Sequence, residues 1–164
     1  MASRTIVGVI SDTHGLLRPE ALAALAGSDL IIHAGDIGSP DILPALARIA
    51  PVHAVRGNID TQSWAADIPS TEVITVGEVQ LYVLHDVSQL DLKPAAAGFA
   101  AVISGHSHIA EQEMSGGVLY FNPGSAGPRR FKLPISLGRI TVHGTELRAE
   151  IVRLDAPPSS VPVI

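Results

Sequence analysis

Three short runs rich in valine and isoleucine, Thr5–Ile10, Leu30–Ala34 and Val52–Val55, each give way to glycine and polar residues, with helix-length stretches between them. Near-continuous apolar runs of this length are the mark of strands buried on both faces. In the first gap, Pro19 suits the opening turn of a helix whose Leu22 and Leu25 share a face, and Gly27 can end it in a left-handed conformation. In the second gap Asp41 is the expected N-cap, because that choice puts Pro44 in the first turn, where proline loses no intrahelical bond. The first sixty residues therefore read βαβαβ, which demands parallel pairing with right-handed crossovers.

After Ser70 the pattern changes. Thr71–Val76 and Val79–Leu84 flank Gly77-Glu78, a two-residue hairpin turn with glycine first; Ile140–Val142 and Leu147–Leu154 read as a second hairpin around His143-Gly144. Ala101–Ser104 and Val118–Phe121 read as further strands. A parallel half followed by a strand-rich half predicts an α/β fold, a four-layer α-β-β-α sandwich of two packed mixed β-sheets flanked by helices. With 164 residues, 46 % of them hydrophobic, the chain suits one domain, expected over residues 1–155. The proline- and serine-rich residues 156–164 are expected to form a frayed, flexible tail.

The chain has no cysteine, so a metal would be held by oxygen and imidazole nitrogen. A net charge of −5 has the wrong sign for tight binding to long nucleic acid and leaves a small phosphorylated substrate open. The apolar run after Arg4 stops at Ser11, too soon for a leader, so a cytoplasmic location with no membrane partner is the default expectation.

Candidate ligands recur where strands end: Asp12 and His14 after the first, Asp36 after the second, Asn58 after the third, His85 after Val79–Leu84, and His106 and His108 after Ala101–Ser104. Strand ends of α/β sheets line a crevice, so these seven side chains can face one pocket although they are far apart in sequence. Each fragment alone is common turn chemistry. Five strand ends carrying Asp-x-His, Gly-Asp, Gly-Asn-x-Asp, His and Gly-His-x-His in that order are not.

The blocks Ile10-Ser11-Asp12-Thr13-His14-Gly15, His33-Ala34-Gly35-Asp36, Arg56-Gly57-Asn58-Ile59-Asp60 and Gly105-His106-Ser107-His108 resemble the ordered motifs of the calcineurin-like metallophosphoesterases. With Asn122-Pro123-Gly124-Ser125, the likeness is to the small bacterial and archaeal phosphodiesterase branch and covers about residues 5–155. It implies two divalent metal ions per chain: Asp12, His14 and His108 on one, Asn58, His85 and His106 on the other, Asp36 bridging. Mn²⁺ is the first expectation, with Ni²⁺, Co²⁺, Fe²⁺ and Zn²⁺ as alternatives. The implied activity is phosphodiester hydrolysis, with a hydroxide bridging the two ions attacking phosphorus in line. The alternatives are a phosphomonoesterase on the same site and a protein-binding scaffold like the retromer subunit of this fold. Asp36, Asn58 and His106 are the expected catalytic residues; Asn58, Ser125 and Arg129 are expected to contact the substrate, although Arg129 and Arg130 read equally as binders of the phosphate oxygens and as solubilising loop residues. The oligomeric state is left open, a homo-oligomer included.

Two residues depart from the pattern. Many relatives carry histidine where this chain has Ile59, so a donor of a proton to the leaving group is missing. Asp86 stands where glycine is commoner, either as a partner for an imidazole or as a solvated turn residue. Asp60 is expected to cap the segment Thr61–Ala66, a role nearer the metal shell being the alternative. His33 reads equally as a core histidine and as a brace for the metal shell, while His53, His143 and Trp64 read as structural or surface residues.

Overall fold

The structure, a computed structural model, describes residues 3–155. The tail expected over residues 156–164 lies outside the described residues. Ten strands form two five-stranded sheets. In the first, β1 (Arg4–Ile10), β2 (Leu30–His33) and β3 (Val52–Ala54) run parallel, and the C-terminal hairpin of β9 (Ser136–His143) and β10 (Glu146–Arg153) adds antiparallel to β1, giving the order β10-β9-β1-β2-β3. The second sheet contains β4 (Thr71–Val76), β5 (Val79–Leu84), β6 (Ala101–Ile103), β7 (Glu111–Ser115) and β8 (Val118–Asn122) in the order β4-β5-β6-β8-β7, with β5, β6 and β8 mutually parallel.

The layers follow from which face each apolar set covers. Val7, Val9 and Ile32 of the first sheet meet Leu81, Ile103 and Phe121 of the second in the central core. The outer face of the first sheet is covered by α1 (Pro19–Leu25) and α2 (Ile42–Ala47), which bury Leu25, Ile42 and Leu46 against Ile10 and Ile31. On the outer face of the second sheet Tyr82, Leu84 and Val102 pack with Leu90, Leu92 and Phe99 around the single turn α3 (Pro94–Ala97). This is the expected α-β-β-α sandwich, with thin helical layers. No helix among the described residues is long and apolar enough to cross a membrane.

Several local expectations shift. The C-terminal hairpin turns at Gly144-Thr145, since His143 still pairs with Glu146 as the last residue of β9. Asp41 does occupy the N-cap position of α2, but its backbone is helical and its side chain caps nothing; it accepts instead from the Ser39 hydroxyl. Asp60 does not cap the turn that follows, whose N-cap is Gln62. Its carboxylate accepts from the backbone N–H groups of Ile37 at 3.0 Å, Gly38 at 3.0 Å and Gly57 at 2.8 Å, tying the loop after β2 to the loop after β3.

Candidate metal centre

Three parallel strands from each sheet end at one edge of the sandwich, and the loops there are stitched together. Asp12 N–H donates to the Gly35 carbonyl at 2.9 Å, and Gly105 N–H donates to that of His85 at 2.9 Å. The glycines of the motifs exist for this close approach: a Cβ on Gly57 would overlap the Asp36 carboxylate, and one on Gly105 the Ser11 hydroxyl. Six non-glycine residues among those described have positive φ, and five of them are Asp12, His14, Asp36, His106 and His108. Each such backbone costs on the order of 1–3 kcal/mol and persists where the surroundings impose it, typically at functional sites.

The expected ligands come together in two groups. Asp12, His14 and His108 form one and Asp36, His85 and His106 the other, with the ligand atoms within each group inside 4.8 Å of one another. Asp36 Oδ2 lies 3.3 Å from His85 Nε2 and 3.6 Å from His14 Nε2, between the groups. Asn58 Oδ1 lies 3.1 Å from His85 Nε2 and 3.2 Å from His106 Nδ1, which joins it to the second group.

With the Asn58 oxygen turned inward, these contacts set acceptor against acceptor unless positive charge lies among them. His85 Nδ1 sits 2.7 Å from the Ala34 carbonyl and must donate to it, so in neutral His85 the Nε2 lone pair faces the oxygens of Asp36 and Asn58. Turned round, the Asn58 amide would donate to His85, His106 and Asp36, which is how an empty pocket satisfies itself; its oxygen belongs inward when a cation is present. Asp12 is divided likewise. Oδ2 accepts from Ser11 Oγ and His106 N–H, while Oδ1 is buried with no donor, as is His14 Nε2. Buried acceptors without donors are the donor set that a divalent cation satisfies, and the residues fit the ions.

Burial and the two carboxylates pull the protonation of these groups in different directions. Burial lowers His14 below the ordinary histidine value, more strongly than Asp36 and Asp12 raise it, with the charges of His108 and Arg130 adding to the fall. Burial also opposes charge on His85, but the bonds to Asp36 and the Ala34 carbonyl and the two carboxylate charges prevail and raise it. Asp36 is held below the usual carboxylate value because its bonds to His85 and Ile59 N–H, with the charges of His85 and His14, outweigh burial.

Surrounding residues brace the ligands. Fully buried His33 accepts from Gly35 N–H at Nδ1, and its Nε2 meets Thr13 Oγ1 at 3.0 Å, whose own proton goes to the Ile37 carbonyl. His33 is thus a brace between the loops after β1 and β2. Burial pushes it down to about 4, against the opposing charges of Asp12 and Asp60. A histidine neutral in the fold and basic when unfolded contributes stability that is complete above about 6.5 and is lost as pH falls from there toward about 4. Urea unfolding of the metal-free protein should lose on the order of 3 kcal/mol from this residue across that window. His33→Gln should flatten the slope, and equal slopes in both proteins would refute the assignment.

Two residues expected to contact the substrate already have partners within the fold. Ser125 is buried, donating its hydroxyl to the Asp12 carbonyl at 3.0 Å and accepting from Gly127 N–H, so it shapes the ligand loop and meets no solvent. Arg129 is paired with Asp155. Arg130 is exposed and makes no side-chain bond or ion pair among the described residues. Asn122 was legible only as turn chemistry; its amide donates to the Gly105 carbonyl and Ser107 Oγ, bracing the loop of His106 and His108. Asp86 is a turn residue, accepting from Ser88 N–H and Oγ; its Oδ2 lies 3.7 Å from His106 Nε2, near the imidazole but not hydrogen-bonded to it.

An α/β sandwich whose strand-end loops gather carboxylates, imidazoles and an amide into two adjoining groups is the architecture of a metal-dependent hydrolase. The chain belongs to the calcineurin-like phosphoesterase superfamily, whose domain profile matches residues 6–145. A probable metallophosphoesterase of Methanothermobacter thermautotrophicus is 36 % identical over 167 residues, covering 93 % of this chain and 94 % of that protein. Among solved structures, a novel archaeal phosphodiesterase superposes with a TM-score of 0.74 at 23 % identity, over 90 % of this chain and 100 % of that one. Vacuolar protein sorting 29 of Cryptosporidium parvum gives 0.75 at 18 % identity, over 92 % and 97 %. At these identities the two structures share the fold.

Proposed function

We propose that this chain is a phosphodiesterase that holds two divalent ions, Mn²⁺ first among them, with Asp12, His14 and His108 on one ion, Asn58, His85 and His106 on the other, and Asp36 touching both. The observation that carries the reading is the convergence of the two ligand groups on one edge, with Asp12 Oδ1 and His14 Nε2 buried without a hydrogen-bond partner and Asp36 Oδ2 lying between the groups. Two such ions, when bound, supply Lewis acidity to the scissile phosphate and to the attacking water. The chain's own residues do the rest. Asn58 and four neutral imidazoles add no negative charge, so the site keeps its attraction for an anionic ester. Arg130, exposed, without a bond or ion pair among the described residues and near enough to His14 for its charge to act there, is a cation that could meet a phosphate oxygen, a role expected of Arg129 as well. Ile59 offers no proton to a departing oxygen, which favours diesters with good leaving groups over alkyl monoesters.

A protein-binding scaffold could lose any one of these ligands without penalty, whereas this chain keeps all seven, which favours the enzyme; turnover, not metal content, separates the two readings. Stripped protein restored with Mn²⁺, Ni²⁺, Co²⁺, Fe²⁺ or Zn²⁺ singly should cleave aryl diesters faster than aryl monoesters. Asp12→Ala and His106→Ala should each lose a different anomalous metal peak. Absence of hydrolysis with every ion would leave the scaffold, and loss of the same peak in both variants would overturn the division of ligands.

A further inference from the structure

A cleft of about 830 Å³ opens beside the metal centre, against the second ligand group. Asn58, His85 and His106 line it, whereas Asp12, His14 and His108 do not, so it receives whatever extends from the scissile phosphate past the second ligand group. Its size suits a nucleotide-sized group rather than a small alcohol. The further walls carry Thr61, Thr71 and Gln89, hydroxyls and an amide that suit a hydrogen-bonding arm, beside Tyr82 and Leu84, which are themselves largely buried.

Arg56 is the only cation in these walls. Its backbone N–H donates to the Pro69 carbonyl at 2.8 Å, which fixes the residue at the end of β3. Val55 before it is buried in the core, so Arg56 is turned to the solvent side. The guanidinium forms no hydrogen bond or ion pair among the described residues, unlike Arg129, Arg139 and Arg153, which all hold carboxylates. Asp60 and Asp86 in the same wall are already engaged, with backbone N–H groups and with Ser88, and the third acid, Asp91, makes no ion pair with Arg56. A free, planar, five-donor fork in a substrate cleft matches an anion with two oxygens to offer, and phosphate is the fit. Arg56 stands two residues before Asn58, at most about 7 Å along an extended backbone, and its long side chain adds to that reach. The anion it meets therefore sits on the substrate's arm, several bonds from the phosphate being cleaved.

We propose that Arg56 is a specificity-determining residue and that the preferred substrate is a diester bearing a second phosphate on the arm that occupies this cleft. The inference rests on the phosphodiesterase reading above, and the test keeps the two apart. Two probes differ only in the second phosphate: the p-nitrophenyl ester of thymidine 5′-phosphate, with and without a 3′-phosphate. The reconstituted protein should favour the 3′-phosphorylated probe by about 10-fold or more in kcat/KM, the scale of a charge-assisted bond. Arg56→Gln should erase that preference through KM while leaving bis(p-nitrophenyl) phosphate unaffected, and Arg56→Lys should restore part of it. An unchanged ratio in Arg56→Gln, or an equal loss on both probes, would overturn the proposal. Calorimetry of thymidine 3′,5′-bisphosphate against thymidine 5′-monophosphate on the protein as purified gives a second readout independent of turnover. Tighter binding of the bisphosphate that disappears in Arg56→Gln supports the role of Arg56 even if neither ester is cleaved, in which case only the phosphodiesterase reading fails; equal binding overturns the proposal.

Discussion

Asp36→Asn should leave a folded protein that binds fewer than two ions and loses more activity than any other single ligand change. Asparagine tolerates the left-handed backbone at this position, φ 56°, and its side-chain oxygen can still accept from Ile59 N–H as the carboxylate does at 3.1 Å. What the change removes is charge at the atom lying 3.3 Å from His85 Nε2 and 3.6 Å from His14 Nε2. Asp12 Oδ1, by contrast, comes within 3.4 Å of His108 but no closer than 3.9 Å to His85, so its loss falls mainly on one group. Loss of an outer partner of a ligand typically costs about 10–100-fold, so loss of the shared charge should exceed that, by our reckoning on the order of 10³-fold in kcat/KM. Elemental analysis and turnover measured together decide it. A variant that keeps two ions and near-normal turnover would mean that Asp36 does not bridge.

How far the sequence foretold these positions depends on what each residue answers to. The three parallel strands of the first half were legible to within a residue; β1 and β2 are apolar because most of their residues are buried, whereas β3, whose residues are only partly buried, was marked by its place in the βαβαβ order. Strand β7, Glu111-Gln112-Glu113-Met114-Ser115, was not: every residue in it is exposed, and its extended state comes from pairing with β8 across Gly116-Gly117. Strand β9 starts four residues before the expected Ile140, since Ser136-Leu137-Gly138-Arg139 shows no strand pattern. Gly138 is there because a side chain would strike the Phe121 ring of the other sheet, a long-range demand invisible locally. The strand-end positions of the candidate ligands were readable, because the fold brings the ends of parallel strands to one edge. Their braces were not. Asp60 read as a helix cap and Ser125 as a substrate contact, because a buried hydrogen bond to backbone leaves no mark beyond a polar residue in a turn.

Ile59→His should raise the turnover of alkyl phosphodiesters while changing aryl diesters little. In the natural protein no group at this position can protonate the leaving oxygen, so the rate should climb steeply as the leaving group becomes more acidic, because a better leaving group needs less help in the transition state. The position is well suited to a donor. Its backbone N–H is held by Asp36 Oδ1 at 3.1 Å, beside the shared carboxylate, and its side chain is 40 % exposed, so a polar ring there carries little desolvation cost. A positioned general acid contributes about 10²–10⁴-fold, and the low end is expected here. The reason is Asp60: its carboxylate, which would have to orient the new imidazole, is already occupied by the N–H groups of Ile37, Gly38 and Gly57. An imidazole without a fixed partner spends part of its time in unproductive rotamers. The alkyl-to-aryl ratio of kcat/KM in the variant, set against the leaving-group dependence of the natural protein, tests both halves of the argument. A flat dependence in the natural protein would show that another group already donates the proton, and the substitution would then add nothing.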